Sequence, residues 1–146
     1  MNILGIIPSK YDNRPYVPAK IQLPNLKIDI TIYFLIDTGA TRTTISSDDA
    51  NRYNLYSNKY LKYSGISGGI GGGRIMTYIL PKCKLIFELS GNDNNCIFDI
   101  GDLSIHYPTN MDGSSSKDIK SMLGMDILKH FDILFEDHTL TLRRKG

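Results

Sequence analysis

A strict alternation of apolar and polar residues is the feature that most constrains what this chain can fold into. Val17, Ala19, Ile21 and Leu23 alternate with Lys20 and Gln22, and Ile28, Ile30, Ile32, Phe34 and Ile36 alternate with Lys27, Asp29, Thr31 and Tyr33. Successive side chains on a strand point to opposite faces, so each run predicts a strand with one buried face. Pro24 and Asn25 predict the turn between them. Arg74 to Leu80 and Lys82 to Leu89 predict strands interrupted at Pro81, the second with Cys83, Leu85, Phe87 and Leu89 on one face. Cys96, Phe98 and Ile100 predict a shorter strand, and Asp132 to Glu136 with Thr139 to Arg143 predict a closing hairpin about Asp137 and His138. Helical signal is confined to a short helix or turn within Asp49 to Tyr56 and a helix of about two turns near Met125 to Phe131. The expected fold class is all-β with one short C-terminal helix.

Length and charge narrow the function classes. A chain of 146 residues is long enough for one core and short for two, so residues 1–146 are read as a single domain. Seventeen basic residues against fifteen acidic ones leave a net charge of +2, with no basic field suited to nucleic acid. The Arg143-Arg144-Lys145 end reads as a solvated tail. No apolar run reaches membrane-spanning length, and Met1 to Pro8 has neither the basic start nor the apolar length of an export signal. The expectation is a soluble, cytoplasmic protein without a membrane partner, propeptide or fused domain. Cys83 and Cys96 have no CxxC or metal spacing and read as buried free thiols, while His106, His130 and His138 are scattered. No metal and no cofactor are expected. Tyr107 to Lys120 lacks periodicity and reads as a mobile surface loop.

Three segments carry chemistry. Phe34-Leu35-Ile36-Asp37-Thr38-Gly39-Ala40 runs an apolar strand straight into a carboxylate, with a hydroxyl beside it and a glycine that lets a backbone N–H approach it. Such a carboxylate at the edge of a dry interior needs hydrogen bonds or a proton. Gly65 to Gly73 holds six glycines in nine positions. A phosphate-cradling reading of that run fails, because no Gly-Lys-Ser/Thr follows and the strand-to-helix context is missing. Ser121-Met122-Leu123-Gly124-Met125-Asp126-Ile127-Leu128 places two apolar residues and a glycine before a short amphipathic helix. Asp126 in its first turn reads as a helix-capping or surface ion-pair residue.

Taken in order, these segments resemble the retropepsin-like aspartic proteases, the single-lobed relatives of pepsin, from about Val17 to Leu142, in their cellular bacterial and archaeal form. The resemblance implies an acid-protease barrel. It assigns Asp37, Thr38 and Gly39 to the catalytic loop, with the Thr38 hydroxyl reaching across a two-fold axis to the other loop. It also makes the glycine-rich hairpin a flap over an extended peptide, so that Ala40, Ile66, Gly68, Gly69, Ile70 and Gly71 line the substrate cleft.

Aspartic peptide hydrolysis needs one carboxylate ionised to activate water and a second protonated to polarise the carbonyl, as in acid proteases generally. No second Asp-Thr/Ser-Gly occurs; Asp99 in Phe98-Asp99-Ile100-Gly101 and Asp112 before Gly113 read as turn acids. The second carboxylate is therefore expected from Asp37 of another copy, which makes the protein a homodimeric aspartic endopeptidase acting on peptide or protein substrates. Family dimers are often tied by interleaved terminal strands, and Met1 to Ile7 and Thr139 to Arg143 have β patterns suited to that. The alternative is a retropepsin-fold binding or dimerisation module without peptidase activity.

Overall fold

A computed structural model describes residues 2–8, 13–23, 26–68, 73–89, 95–109 and 120–146, with the side chains of 26–29 left aside. The alternating segments become β2 (Tyr16–Leu23) and β3 (Leu26–Ile36), and Val17, Ala19, Ile21, Leu23, Ile30, Ile32 and Phe34 are all buried. They are preceded by β1 (Asn2–Ile6) and followed by β4 (Thr44–Ser46), α1 (Ser47–Arg52) and a 3-10 turn at Leu55–Ser57. Then come β5 (Lys62–Gly68), β6 (Arg74–Glu88), β7 (Asn95–Thr109), β8 (Met122–Leu123), α2 (Met125–Leu128), β9 (Phe131–Phe135) and β10 (Thr139–Arg144).

The strand order is β5-β6-β7-β4-β8-β3-β2-β1-β10-β9, and a further pairing of β6 with β2 closes β2, β3, β8, β4, β7 and β6 into a six-stranded barrel. The core fills that barrel, where Phe34, Leu85, Phe87, Leu103, Ile105 and Leu123 are fully buried. β5 and β9 stand outside the closed barrel and remain the outer strands of the sheet. Burial pushes the Cys83 thiol up to about 12, and both cysteines are buried and free.

Three expectations are corrected. The two strands expected around Pro81 are one, because Leu80 and Cys83 both face inward across a bulge in which Lys82 takes φ 57°. A bulge is a place where a sheet tolerates proline. The strand through Cys96 also runs on past Ile100 to Thr109; Gly101, at φ 61°, flips the alternation so that Leu103 and Ile105 continue the buried face. Tyr107 to Thr109 are therefore strand, while 110–119 of the expected loop lie outside the described residues. The basic end is no free tail. Arg143 and Arg144 end β10, and the Arg144 guanidinium donates to the Cys96 sulfur at 2.8 Å and lies over the Phe98 ring. β1 and β10 pair with each other inside the chain, Asn2 opposite Arg143 through Ile6 opposite Thr139.

Candidate active site

β3 delivers Asp37 to the end of the barrel beside β8. The two strands run parallel, Leu35 opposite Met122 and Ile36 opposite Leu123, and the Asp37 N–H donates to the Leu123 carbonyl at 3.1 Å. The chain then turns: the Ala40 N–H donates to the Asp37 carbonyl at 3.2 Å, and the Gly39 N–H donates to Asp37 Oδ1 at 2.9 Å. A Cβ on Gly39 would stand 3.2 Å from that same oxygen, so a side chain there would press on the carboxylate. The dry setting expected for the carboxylate is not found in the single chain. Asp37 is half-buried, Thr38 and Gly39 are exposed, and the Thr38 hydroxyl makes no hydrogen bond among the described residues.

The remainder of the loop is held by the segment after β8. The Met125 N–H donates to the Ala40 carbonyl at 2.8 Å and the Asp126 N–H to the Thr41 carbonyl at 3.1 Å. The first donors of α2, which have no partner within the helix, are thus satisfied by the loop that follows Asp37. Asp126 is not the N-cap, a place taken by Gly124, and among the described residues it forms no ion pair. Both its carboxylate oxygens accept from the Thr43 N–H at 3.0 Å, and its Oδ1 also accepts from the Thr43 hydroxyl at 2.8 Å and the Ile127 N–H at 3.0 Å. Thr43 in turn accepts from the Gly124 N–H at 3.1 Å. Sequence reading missed Thr43. Its partner lies 83 residues away, and no local pattern marks the pair.

Asp99 Oδ1 accepts from the Gly101 N–H at 3.1 Å in the β7 bulge, the turn role expected of it. Asp112 lies outside the described residues. Among the described residues no cluster of three His, Cys, Asp or Glu side chains could hold a metal ion. No described helix is long and apolar enough to cross a membrane.

Of the residues expected over the cleft, Ala40 is half-buried in the Asp37 loop, while Ile66 and Gly68 are exposed on β5. β5 pairs with β6 from Lys62 opposite Ile79 to Gly68 opposite Arg74, with a register shift between Tyr63 and Gly65 where Gly65 takes φ 146°. Gly69, Ile70 and Gly71 lie outside the described residues, and no hydrogen bond joins Ile66 or Gly68 to the Asp37 loop among those described. At the base of this two-stranded arm the Tyr56 ring meets Tyr78 and Tyr107 edge-on, and Tyr63 meets Tyr78 in the same way.

Comparison with known proteins gives a fold. No family model matches the sequence, and no curated protein matches it. Among solved structures, a retropepsin-like aspartic protease from Rickettsia conorii matches with a TM-score of 0.50 and 18% identity, covering 97% of this chain and 90% of that one. EIAV protease complexed with the inhibitor HBY-793 aligns with a TM-score of 0.48 and 21% identity, over 82% of this chain and 89% of that one. The first match, with the closed barrel and the short helix after β8, gives this chain the retropepsin-like aspartic protease fold.

Proposed function

We propose that this chain, acting as one domain, is a homodimeric aspartic endopeptidase whose water-activating pair is Asp37 from each of two copies. The observation that carries the reading is the state of the Asp37 loop. A carboxylate held by its own Gly39 N–H sits at an exposed barrel end, beside an unengaged Thr38 hydroxyl. Asp99 and Asp126 are already bonded to backbone and hydroxyl donors. Aspartic hydrolysis needs a second carboxylate close to the first, so a second copy is the source that keeps the chemistry complete.

Each residue then has a role. One Asp37 takes a proton from water while the other, protonated, donates to the scissile carbonyl. Thr38 reaches the partner loop and fixes the relation between the two carboxylates. Gly39 supplies the N–H that orients Asp37 Oδ1. The peptide lies extended between Ala40 and the β5-β6 arm, with Ile66, Gly68, Gly69, Ile70 and Gly71 covering it and apolar side chains of the peptide in alternate pockets. No metal or cofactor takes part in this scheme.

The alternative is a retropepsin-fold binding or dimerisation module without peptidase activity. Peptide-library cleavage by the wild-type protein beside Asp37→Asn separates the two. The enzyme reading expects cleavage between hydrophobic residues that the substitution abolishes. Cleavage that survives Asp37→Asn, or none by a demonstrated wild-type dimer, overturns it.

A further inference from the structure

We infer that Asp126 is a positioning residue for the Asp37 loop, acting through Thr43; the inference rests on the reading of that loop as catalytic. The loop is anchored on two sides. On the near side Asp37 is fixed by its N–H to the Leu123 carbonyl. On the far side Ala40 and Thr41 accept from Met125 and Asp126 through backbone alone, and the chain next reaches Thr43. There the tie is a side chain: the Thr43 N–H and hydroxyl both end on the Asp126 carboxylate.

Burial makes that tie consequential. Thr43 is 4% exposed, so its N–H and hydroxyl have no water to fall back on. The hydroxyl also sits in a chain, accepting from the Gly124 N–H at 3.1 Å while donating to Asp126 at 2.8 Å. Removing the carboxylate frees the hydroxyl to turn away from Gly124, and the residue that spaces the loop from β8 loses a bond as well. Asp126 donates nothing to Asp37 and needs no contact with substrate. It holds residues 40–43 against α2, so the orientation of Asp37 and of the Gly39 N–H is set before a peptide arrives, which is where positioning contributes to rate.

Two measurements on the full chain test this: amide hydrogen exchange at Gly39 and Thr43 without ligand, and kcat and KM for one cleaved peptide well below the melting temperature. Asp126→Ala is expected to speed exchange at both amides, and to lower kcat by about tenfold or more with KM changed by less than about threefold. Asp126→Asn should recover most of both, since its carbonyl oxygen can take the place of Oδ1. Thr43→Val, which keeps the amide and loses the hydroxyl, should show the same pattern more weakly, and decides the matter if Asp126→Ala does not fold. A folded Asp126→Ala protein with wild-type exchange at Gly39 and wild-type kcat overturns the inference. Absence of cleavage by the wild-type dimer overturns the peptidase reading instead, and the exchange result still decides whether Asp126 orders the loop.

Discussion

Gly124 passes so close beneath Arg42 that a Cβ on it would stand 2.5 Å from the Arg42 carbonyl carbon and 2.6 Å from its oxygen. The obstructing atoms are backbone, held by the bonds of Ala40, Thr41 and Thr43 to the segment 124–126, so they cannot move aside cheaply. Gly39 differs: its absent Cβ would meet only the Asp37 carboxylate, at 3.2 Å.

This contrast separates folding from function. Gly124→Ala should destabilise the protein by about 1–3 kcal/mol, read from denaturant unfolding. Gly39→Ala should leave stability within about 0.5 kcal/mol, because the site is exposed, yet should lower cleavage strongly by pushing Asp37 Oδ1 from its N–H partner. Equal stability losses at the two positions would contradict the packing described.

Much of this site was legible in the chain itself, and the unread part has a physical cause. Asp37, Thr38 and Gly39 announce themselves because an apolar strand ends abruptly in small polar residues, a local signal. The inward faces of β2 and β3 follow from period-two alternation. The second half of β7 was hidden because Gly101 reverses the alternation, and a reversed phase looks like a strand end. α1 begins earlier than expected, at Ser47, although Ser46 accepts from the Asp49 N–H as a cap and its residue type could have marked the start. The Asp126 to Thr43 tie could not be read locally, since tertiary packing alone brings together residues that far apart.

The tyrosine cluster at the base of the arm carries an unsatisfied group. The Tyr56 hydroxyl is buried without a hydrogen-bond partner among the described residues, and burial, with Tyr78 and Tyr107 beside it, pushes its pKa up to about 12. Tyr56→Phe keeps the edge-on ring contacts and removes the stranded hydroxyl, so stability should rise by about 1 kcal/mol in urea unfolding. A loss of stability would reveal a partner for that hydroxyl.

His106 sets a pH dependence of stability. It lies on β7 opposite Thr77 of β6 and Ser46 of β4, and burial lowers its pKa from the ordinary 6.5. The unfolded chain therefore takes up the proton before the folded one does. Stability is full above pH 6.5 and falls as the pH drops from there towards the depressed folded value. Thermal melts between pH 7.5 and pH 5 should show this loss, and His106→Gln should flatten it; an unchanged slope in the variant would assign the loss to other groups.

The pairing of two Asp37 side chains is tested most directly by titrating a fixed amount of wild-type protein with Asp37→Asn chains, under conditions where subunits exchange. If each active site takes one carboxylate from each copy, mixed dimers lose the pair. Peptidase activity per wild-type chain should then fall to about half at an equal mixture and continue towards zero with excess variant, as mass action requires. Activity per wild-type chain that stays constant across the titration would contradict the shared site, and with it the role of Asp37 as one half of a two-chain pair.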